Sequence, residues 1–339
     1  MSFGANPYPE DKSAQYLQDL AKRSLAESAR IEGQSKTMET PTPSTGIFGG
    51  VVDKKPPPTF GDINKACKDL FSEGYNFGFL KVDTKANVQK NVELKTGASH
   101  NVSSGKMHAS CQAKYKLPQH GATLTEKWNS DNVVFADVTV EDKLYKGLKF
   151  TAESTIVPHQ GKRSGKVKAE YLKDNLRYTV ESTLEAQPQL TNTAVFKYRD
   201  LLFGGQSVFD AQAKQLKSYC VSTALLLQGG SRAVFTANDQ RQFGGAVFHS
   251  LNEGRTELGM TMGWTQGSDE VRFGLAGLYK VDDHWTVKAK LAHDSTLALL
   301  SQHKLNDALK LTVSAQVNVP KLGEGEHKFG LGFNYEPKN

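Results

Sequence analysis

The residue types that usually carry enzyme chemistry are present in this chain, but their spacing forms no catalytic or metal site. The nine histidines include no H-E-x-x-H pattern or other ligand spacing. Cys67, Cys111 and Cys220 are an odd number at wide separation, which is typical of neither a disulfide framework nor a zinc site. No nucleophile–base set is recognisable. The sequence therefore predicts no enzyme, no cofactor and no metal.

Basic residues are the groups best able to act on a ligand. The formal net charge is +6. Before Pro56, seven bases are balanced by seven acids, so the whole excess lies in the rest of the chain. Such an excess favours anionic partners. The bases are spread along alternating positions and are not clustered on one helix or loop, so nucleic acid is not expected as a partner.

The first 78 residues contain two segments with helical spacing. Alanines and leucines recur at that spacing from Asp11 to about Glu32, and the stretch Thr37–Pro58 has the Pro, Thr, Ser and Gly content of a linker. A second amphipathic helix is predicted from Phe60 to Phe71, ending before the glycines of 74–78. The predicted organisation is an extension at 1–56, a helix and hinge at 57–78, and a β domain at 79–339.

Beyond Gly78 the hydrophobic period changes to two. On one segment Trp285, Val287 and Ala289 alternate with Thr286 and Lys288. The strands follow one another without intervening helices, which indicates an antiparallel meander. No apolar run approaches the roughly 20 residues of a transmembrane helix, but a barrel strand needs only about 10 residues of alternating character.

Alternation alone leaves two architectures open, because a soluble sandwich with its apolar faces packed together shows the same pattern. Two details favour a transmembrane barrel. The polar face carries many Lys, Arg and Glu, as a wide aqueous pore would. The meander also continues for about 250 residues, more strands than a usual sandwich holds, and closure removes exposed edges. A soluble β-sandwich that binds acidic ligands is the alternative.

Short motifs occur in order from about Pro57 to Tyr335. A P-P-T-F-G-D segment at 57–62 leads to G-Y-N-F-G at 74–78. Later motifs are T-E-K-W-N-x-D-N at 125–132, V-E-D at 140–142, G-L-K at 147–149, Q-F-G-G at 242–245, R-F-G-L-A at 272–276 and a closing strand at 327–335. Taken together, they resemble the voltage-dependent anion channel family of eukaryotic porins, including its helix, its glycine hinge and the turn at T-E-K-W.

The resemblance implies an all-β fold: a transmembrane β-barrel of about 19 strands, an antiparallel meander with a parallel closure. The family is itself the odd-numbered example among such barrels. The resemblance also implies a voltage-gated, weakly anion-selective channel that passes small ions and metabolites, including ATP and ADP, across the mitochondrial outer membrane. The helix Phe60–Phe71 would lie in the lumen. Expected partners are outer-membrane lipids, permeating anions and further copies of the chain.

Five lysines match basic family positions. Lys65 and Lys68 lie on the predicted helix, and Lys149, Lys166 and Lys168 lie on the predicted wall. The resemblance implies that they contact anions or nucleotide phosphates, which suits a mobile point charge. The alternative interpretation is that each is an ordinary solvated lysine and that only the group acts, through its field.

The predicted gating helix and hinge include Asp69, Glu73, Gly74, Asn76 and Gly78. Two of these residues depart from the family pattern. Glu73 replaces a base, and Asn76 replaces the middle glycine of the hinge, where it is stiffer although it tolerates left-handed conformations. Both changes put family-like gating and strong anion preference in question.

The closing strand carries the family's insertion signal for the outer membrane. Its polar, glycine and two hydrophobic places are filled by Lys328, Gly330, Phe333 and Tyr335. The resemblance further aligns a lipid-facing acid of the family with Gln119, so effects that depend on that acid are expected to be absent.

A second function is left open by the 1–56 extension, which has no counterpart in typical members, and by the altered hinge. A barrel of the same fold with altered selectivity or poor conduction could act as a docking or regulatory protein for cytosolic partners, with the extension as its adapter.

Overall fold

A computed structural model describes residues 56–143, 145–323, 325 and 327–337. The helix predicted at 11–32 and most of the predicted linker lie outside these residues. The first helical elements of the described residues are a 3-10 turn, Phe60–Asp62, and helix α1, Lys65–Ser72. Among the described residues, no helix has the length and apolar character needed to cross a bilayer.

Nineteen strands follow α1. They are β1 (Phe79–Gln89), β2 (Val92–Asn101), β3 (Met107–Leu117), β4 (Ala122–Asn129), β5 (Val134–Glu141), β6 (Leu148–Val157), β7 (Lys162–Lys173), β8 (Leu176–Thr183), β9 (Gln189–Tyr198), β10 (Leu201–Asp210), β11 (Gln215–Leu226), β12 (Arg232–Asn238), β13 (Gln242–Leu251), β14 (Thr256–Thr265), β15 (Val271–Lys280), β16 (Trp285–Ala292), β17 (Thr296–Lys304), β18 (Leu309–Asn318) and β19 (Lys328–Tyr335).

The strands form one closed sheet. Each strand pairs antiparallel with the next, and β1 pairs in parallel with β19, with Leu80 opposite Leu331 and Val82 opposite Phe333. Closure leaves each of these nineteen strands paired along both edges. The predicted barrel with its parallel closure is confirmed, and the soluble sandwich was the wrong alternative.

The two faces of the sheet differ in polarity. On β14, Leu258, Met260, Met262 and Trp264 are all exposed on one face, while Gly259 between them is buried against α1 on the other. The segment 57–78, named here the lumenal segment, touches strands from β8 to β19, which it can do only from inside a closed barrel. The apolar face is therefore outside and the polar face lines a lumen, as in transmembrane barrels.

Helix α1 packs on the inner wall through its apolar face. Ile63, Cys67 and Leu70 are each at most 2% exposed and form one cluster with inward residues of β9 to β15. The predicted apolar face is confirmed, but the helix is shorter than the predicted span. Asn64 has non-helical dihedral angles (φ −104°, ψ 18°) and separates the 3-10 turn from α1.

Candidate functional site

Inward-facing glycines on the wall make room for the lumenal segment, and we call this docking site its seat. Only glycine allows so close an approach, because any side chain would occupy the space that the segment fills. A methyl group added at Gly204 would lie 2.5 Å from Ile63 Cδ1, one at Gly259 would lie 2.8 Å from Leu70 Cδ2, and one at Gly274 would lie 2.9 Å from Phe71 Cε1.

Wall cations hold the main chain of the lumenal segment. Each donates a hydrogen bond to a backbone carbonyl oxygen, so it satisfies a group that would otherwise lack a partner inside the protein. Arg177 Nε donates to Pro57 O at 2.8 Å, Arg232 Nη1 to Ile63 O at 3.3 Å, Lys290 Nζ to Phe71 O at 2.7 Å and Lys288 Nζ to Glu73 O at 3.3 Å.

Two of these cations lie at the C-terminal end of α1. The last carbonyl oxygens of a helix carry partial negative charge and are stabilised by a nearby cation. Lys290 meets this charge at Phe71 O, and its Nζ also lies 4.3 Å from the centre of the Tyr75 ring. An ammonium over an aromatic face is an attractive contact. Lys290 therefore links the helix end to the hinge.

The hinge takes its sharp turns at its two outer glycines. Gly74 has φ 88° and Gly78 has φ 77°, in the left-handed region that favours glycine. Asn76 is not among the described residues with positive φ, so asparagine at the middle position imposes no such strain. Asp69 O accepts a hydrogen bond from the Glu73 backbone N–H at 2.8 Å, and Glu73 ends α1 with its side chain exposed.

Most of the predicted anion-binding lysines are ion-paired. Their partners lie on the same or a neighbouring strand, or one turn earlier for Lys65. Such pairs cancel charge at short range but leave the ammonium groups solvated. Lys149 Nζ lies 2.6 Å from Glu141 Oε1, Lys166 Nζ 3.1 Å from Glu181 Oε1, Lys168 Nζ 3.6 Å from Glu170 Oε2 and Lys65 Nζ 3.8 Å from Asp62 Oδ1. Among the described residues, Lys68 makes no ion pair.

The wall that holds Lys149, Lys166 and Lys168 is electrically balanced. Strand register assigns equal numbers of bases and acids on β5–β8 to the lumen. These are Lys149, Lys162, Lys166, Lys168 and Arg177 against Asp137, Glu141, Glu153, Glu170 and Glu181. The three predicted wall lysines are thus brought together, but their stretch of wall adds no net charge.

The net positive wall is β1–β4. Its inward residues include six lysines and only two acids: Lys81, Lys85, Lys95, Lys114, Lys116 and Lys127 against Asp83 and Glu93. Within the described part of the chain, Lys114 and Lys127 make no ion pair. Sequence reasoning missed this wall, because alternation shows that its lysines share a face but not which acids lie beside them.

A polar cavity of about 370 Å³ lies on this basic wall. Lys85, Lys95 and Lys127 line it together with Ser110 and Gln112. At one end Lys85 Nζ lies 2.7 Å from Glu336 Oε1, across the seam between β1 and β19. The hydrogen bond and charge of Lys85 lower the pKa of the Glu336 carboxyl below its ordinary value. The cavity offers ammonium, hydroxyl and amide donors to an anion, and the carboxylates of Asp83 and Glu336 also line it.

The four predicted insertion-signal residues all lie on β19. Gly330 is buried and faces the lumen, whereas Phe333 and Tyr335 are exposed on the outer face. Lys328 pairs with Gln316 at the start of the strand. All four therefore lie on the strand that closes the barrel against β1.

The assignment of a lipid-facing position to Gln119 was wrong. Gln119 lies in the 3-10 turn Pro118–His120, outside the strands. The motif predicted as a turn is mostly strand β4, and register places Glu126 on its outer face, opposite Ala113 and Ala136. No cation pairs with Glu126 among the described residues. The outward acid is therefore present.

Glu126→Gln is expected to stabilise the barrel in a bilayer by about 1 kcal/mol, because an amide is easier to hold in hydrocarbon than a carboxylate. Urea unfolding from lipid vesicles, followed by gel mobility, measures the change. Glu153→Gln removes an inward carboxylate as the matched control, and we expect it to stay within about 0.5 kcal/mol of the unaltered chain. Equal effects of the two variants would contradict the outward placement.

Comparison with known proteins identifies relatives over most of the chain. The eukaryotic porin family profile matches residues 56–330. A probable voltage-dependent anion-selective channel of Caenorhabditis elegans is 39% identical over 289 residues, covering 84% of this chain and 99% of the relative. A voltage-dependent anion-selective channel of Drosophila melanogaster is 35% identical over 83% of this chain and 99% of its own.

A further relative carries a different description of selectivity. A non-selective voltage-gated ion channel of Meleagris gallopavo is 34% identical over 281 residues, covering 83% of this chain and 94% of the relative. The relatives thus share voltage gating in their descriptions but differ in stated ion preference.

Proposed function

Because this chain belongs to the eukaryotic porin family, we propose that its barrel is a voltage-gated diffusion channel. It passes small ions and metabolites, including adenine nucleotides, across the mitochondrial outer membrane. The observation that carries this proposal is the closed 19-strand barrel with an apolar outer face and a docked segment inside its polar lumen. A channel of this family is in general not an enzyme. A docking barrel without conduction is not favoured.

The ion preference we propose is weakly anionic. Its main source is the wall β1–β4 with its excess of lysines, since charges that line a pore select the ions that pass. Lys65, Lys68, Lys149, Lys166 and Lys168 are proposed as points of brief phosphate contact along the path. Because four of them are ion-paired, their contribution is contact rather than net field.

The remaining site assignments are part of the same proposal. Asp69, Glu73, Gly74, Asn76 and Gly78 belong to the gating helix and hinge. The residues on β19 named above direct insertion into the outer membrane, whose lipids surround the apolar face. Self-association and docking of cytosolic proteins stay predictions.

Planar-bilayer recording of the refolded full-length chain under a salt gradient tests this function. We expect discrete, voltage-dependent steps and a reversal potential on the anion side. The double variant Lys114→Glu with Lys127→Glu should lower the anion-to-cation permeability ratio by about twofold or more, because it reverses the charge of two lumenal lysines that make no ion pair among the described residues.

The matched control exchanges an ion pair and keeps the net charge: Lys166→Glu with Glu181→Lys. Its reversal potential should stay close to that of the unaltered chain. A shift in this control as large as in the Lys114 and Lys127 variant would refute the basic wall as the source of selectivity. Absence of conductance from a correctly folded barrel would refute the channel itself.

A further inference from the structure

The hinge of the lumenal segment is fastened to the strands that close the barrel. The Asn76 backbone N–H donates to Ser314 Oγ at 3.1 Å, and that hydroxyl donates to Gly330 O at 3.4 Å. The Gly78 backbone N–H donates to Phe329 O at 2.9 Å. Thus both β18 and β19 hold the hinge.

Ser314 bridges the hinge and β19 through its hydroxyl. Its side chain is 1% exposed, so a hydroxyl there must find partners inside the protein. It accepts from the hinge and donates to β19, which uses both of its hydrogen-bonding roles. The backbone pairing of β18 with β19 does not require the Ser314 hydroxyl. The contact with the hinge therefore explains why a serine is buried at this position.

Two glycines on β19 make room for Asn76. A methyl group added at Gly330 would overlap the carbonyl carbon and oxygen of Asn76, which are backbone atoms and cannot rotate away. A methyl group at Gly332 would lie 2.5 Å from Asn76 Nδ2, the end of a side chain. The glycine of the predicted insertion signal thus has a second physical reason to lack a side chain.

We propose that Ser314, Gly330 and Gly332 form a latch for Asn76 and are positioning residues for voltage gating. The latch keeps the C-terminal end of the lumenal segment on the wall and sets the voltage at which the segment is released. Its role in gating rests on the proposed channel function. The latch itself rests on the contacts above.

Docking of the lumenal segment can be measured without conduction, because Cys67 is fully buried between α1 and the wall. In a Cys111→Ser, Cys220→Ser background of the refolded full chain, the rate of maleimide reaction at Cys67 reports how often the segment leaves its seat. Channel recording on the same proteins reports the closing voltage.

Ser314→Ala removes the bridging hydroxyl, and we expect Cys67 to react about fivefold faster, as for loss of one hydrogen bond. Ser314→Thr keeps a hydroxyl and should restore most of the slow reaction. Gly330→Ala should raise the rate about tenfold or more, because backbone atoms must move. Each variant with faster labelling should also close at a lower voltage.

Gly332→Ala provides the sharpest test, because its methyl group would clash with the Asn76 side chain and should therefore also speed labelling and lower the closing voltage. Adding Asn76→Gly removes that side chain and should return both readouts toward the unaltered values. Asn76→Gly should not rescue Gly330→Ala, whose clash is with the backbone. Gly263→Ala is the control, because it adds a methyl group to an inward glycine on β14 with nothing within 4 Å.

The latch is overturned if Cys67 in folded Ser314→Ala and Gly330→Ala barrels reacts at a rate within twofold of that in the unaltered chain. Faster labelling with an unchanged closing voltage would overturn its role in gating. If the unaltered chain does not conduct at all, the channel proposal fails, and the labelling rates still decide the latch.

Discussion

Replacing Gly259 with leucine is expected to expel α1 from its seat while the barrel stays folded. A leucine side chain at this position must enter the space of Leu70 Cδ2, which already lies 2.8 Å from where the first carbon would be. Phe71 Cε2 and Cys67 Sγ lie 3.3 and 3.5 Å from the same carbon, so its three nearest neighbours all belong to α1. The helix must therefore move.

The size of the effect follows from the burial that is lost. Ile63 and Leu70 are almost completely buried in the docked state. Each such side chain contributes about 1.5–3 kcal/mol when fully buried, so the docked state should lose several kcal/mol. That loss is large enough to reverse the balance between docked and released segment, as a few kcal/mol decides such equilibria. The strand pairs of β14 are untouched, because Gly259 contributes only backbone atoms to them.

Cys67 reactivity in the Cys111→Ser, Cys220→Ser background measures the result, and we expect an increase of about a hundredfold. Gly263→Leu is the matched control, with the same substitution on the same inward face of β14 in open space. A folded Gly259→Leu barrel in which Cys67 reacts as slowly as in the control would show that α1 does not occupy this seat.

Periodicity was sufficient to predict the strands, because a side chain on an alternating strand faces either water or lipid. Between Trp285 and Ala289, apolar and polar residues alternate, which is the pattern that a barrel strand requires. Strand number and the parallel pairing of β1 with β19 came from resemblance. Alternation alone cannot define closure, since it describes each strand by itself.

Electrostatic partners could not be predicted in the same way. Lys166 and Lys168 are visible as a pair in the sequence, but Glu181 comes into contact with Lys166 only through the register of β7 and β8. A one-residue change in register would exchange the faces and undo the pair. Whether a lysine is free or compensated is therefore a property of the folded sheet.

The glycine seats were also beyond sequence reasoning. A glycine inside a strand pattern usually indicates a bulge or a close approach, without saying to what. Gly259 and Gly330 meet Leu70 and Asn76, which precede them by about 190 and 250 residues in the chain. The signal that could have found them is their inward register position, but Gly263 and Gly332 share the same faces, so register alone does not say which glycine meets the lumenal segment closely.

The second large effect concerns the start of the lumenal segment. Arg177 on β8 donates through Nη1 to Glu170 Oε1 and through Nε to Pro57 O, so one guanidinium joins two wall strands to the segment. The Glu170 residue is 9% exposed, and its other cation, Lys168, lies 3.6 Å away. Arginine suits this place because its planar fork can serve two acceptors at once.

Arg177→Met is expected to destabilise the protein by about 3 kcal/mol, because it leaves a largely buried carboxylate with one distant partner and removes the donor to Pro57 O. Adding Glu170→Gln should recover a large part of that loss, since the uncompensated charge is gone, but it cannot restore the bond to Pro57. The destabilisation caused by Arg177→Lys should lie between that of Arg177→Met and that of the double variant, because lysine keeps the positive charge but lacks the planar guanidinium fork.

Urea unfolding of the refolded barrels measures these three values and that of Glu170→Gln alone, which completes the cycle. The informative quantity is the coupling between positions 170 and 177, since a cycle of single and double variants isolates their interaction. We expect a coupling of about 1–3 kcal/mol, together with faster labelling of Cys67 in every variant that lacks the arginine. Additive effects of the two substitutions would mean that Arg177 and Glu170 do not stabilise each other, and unchanged labelling of Cys67 would mean that Arg177 does not hold Pro57.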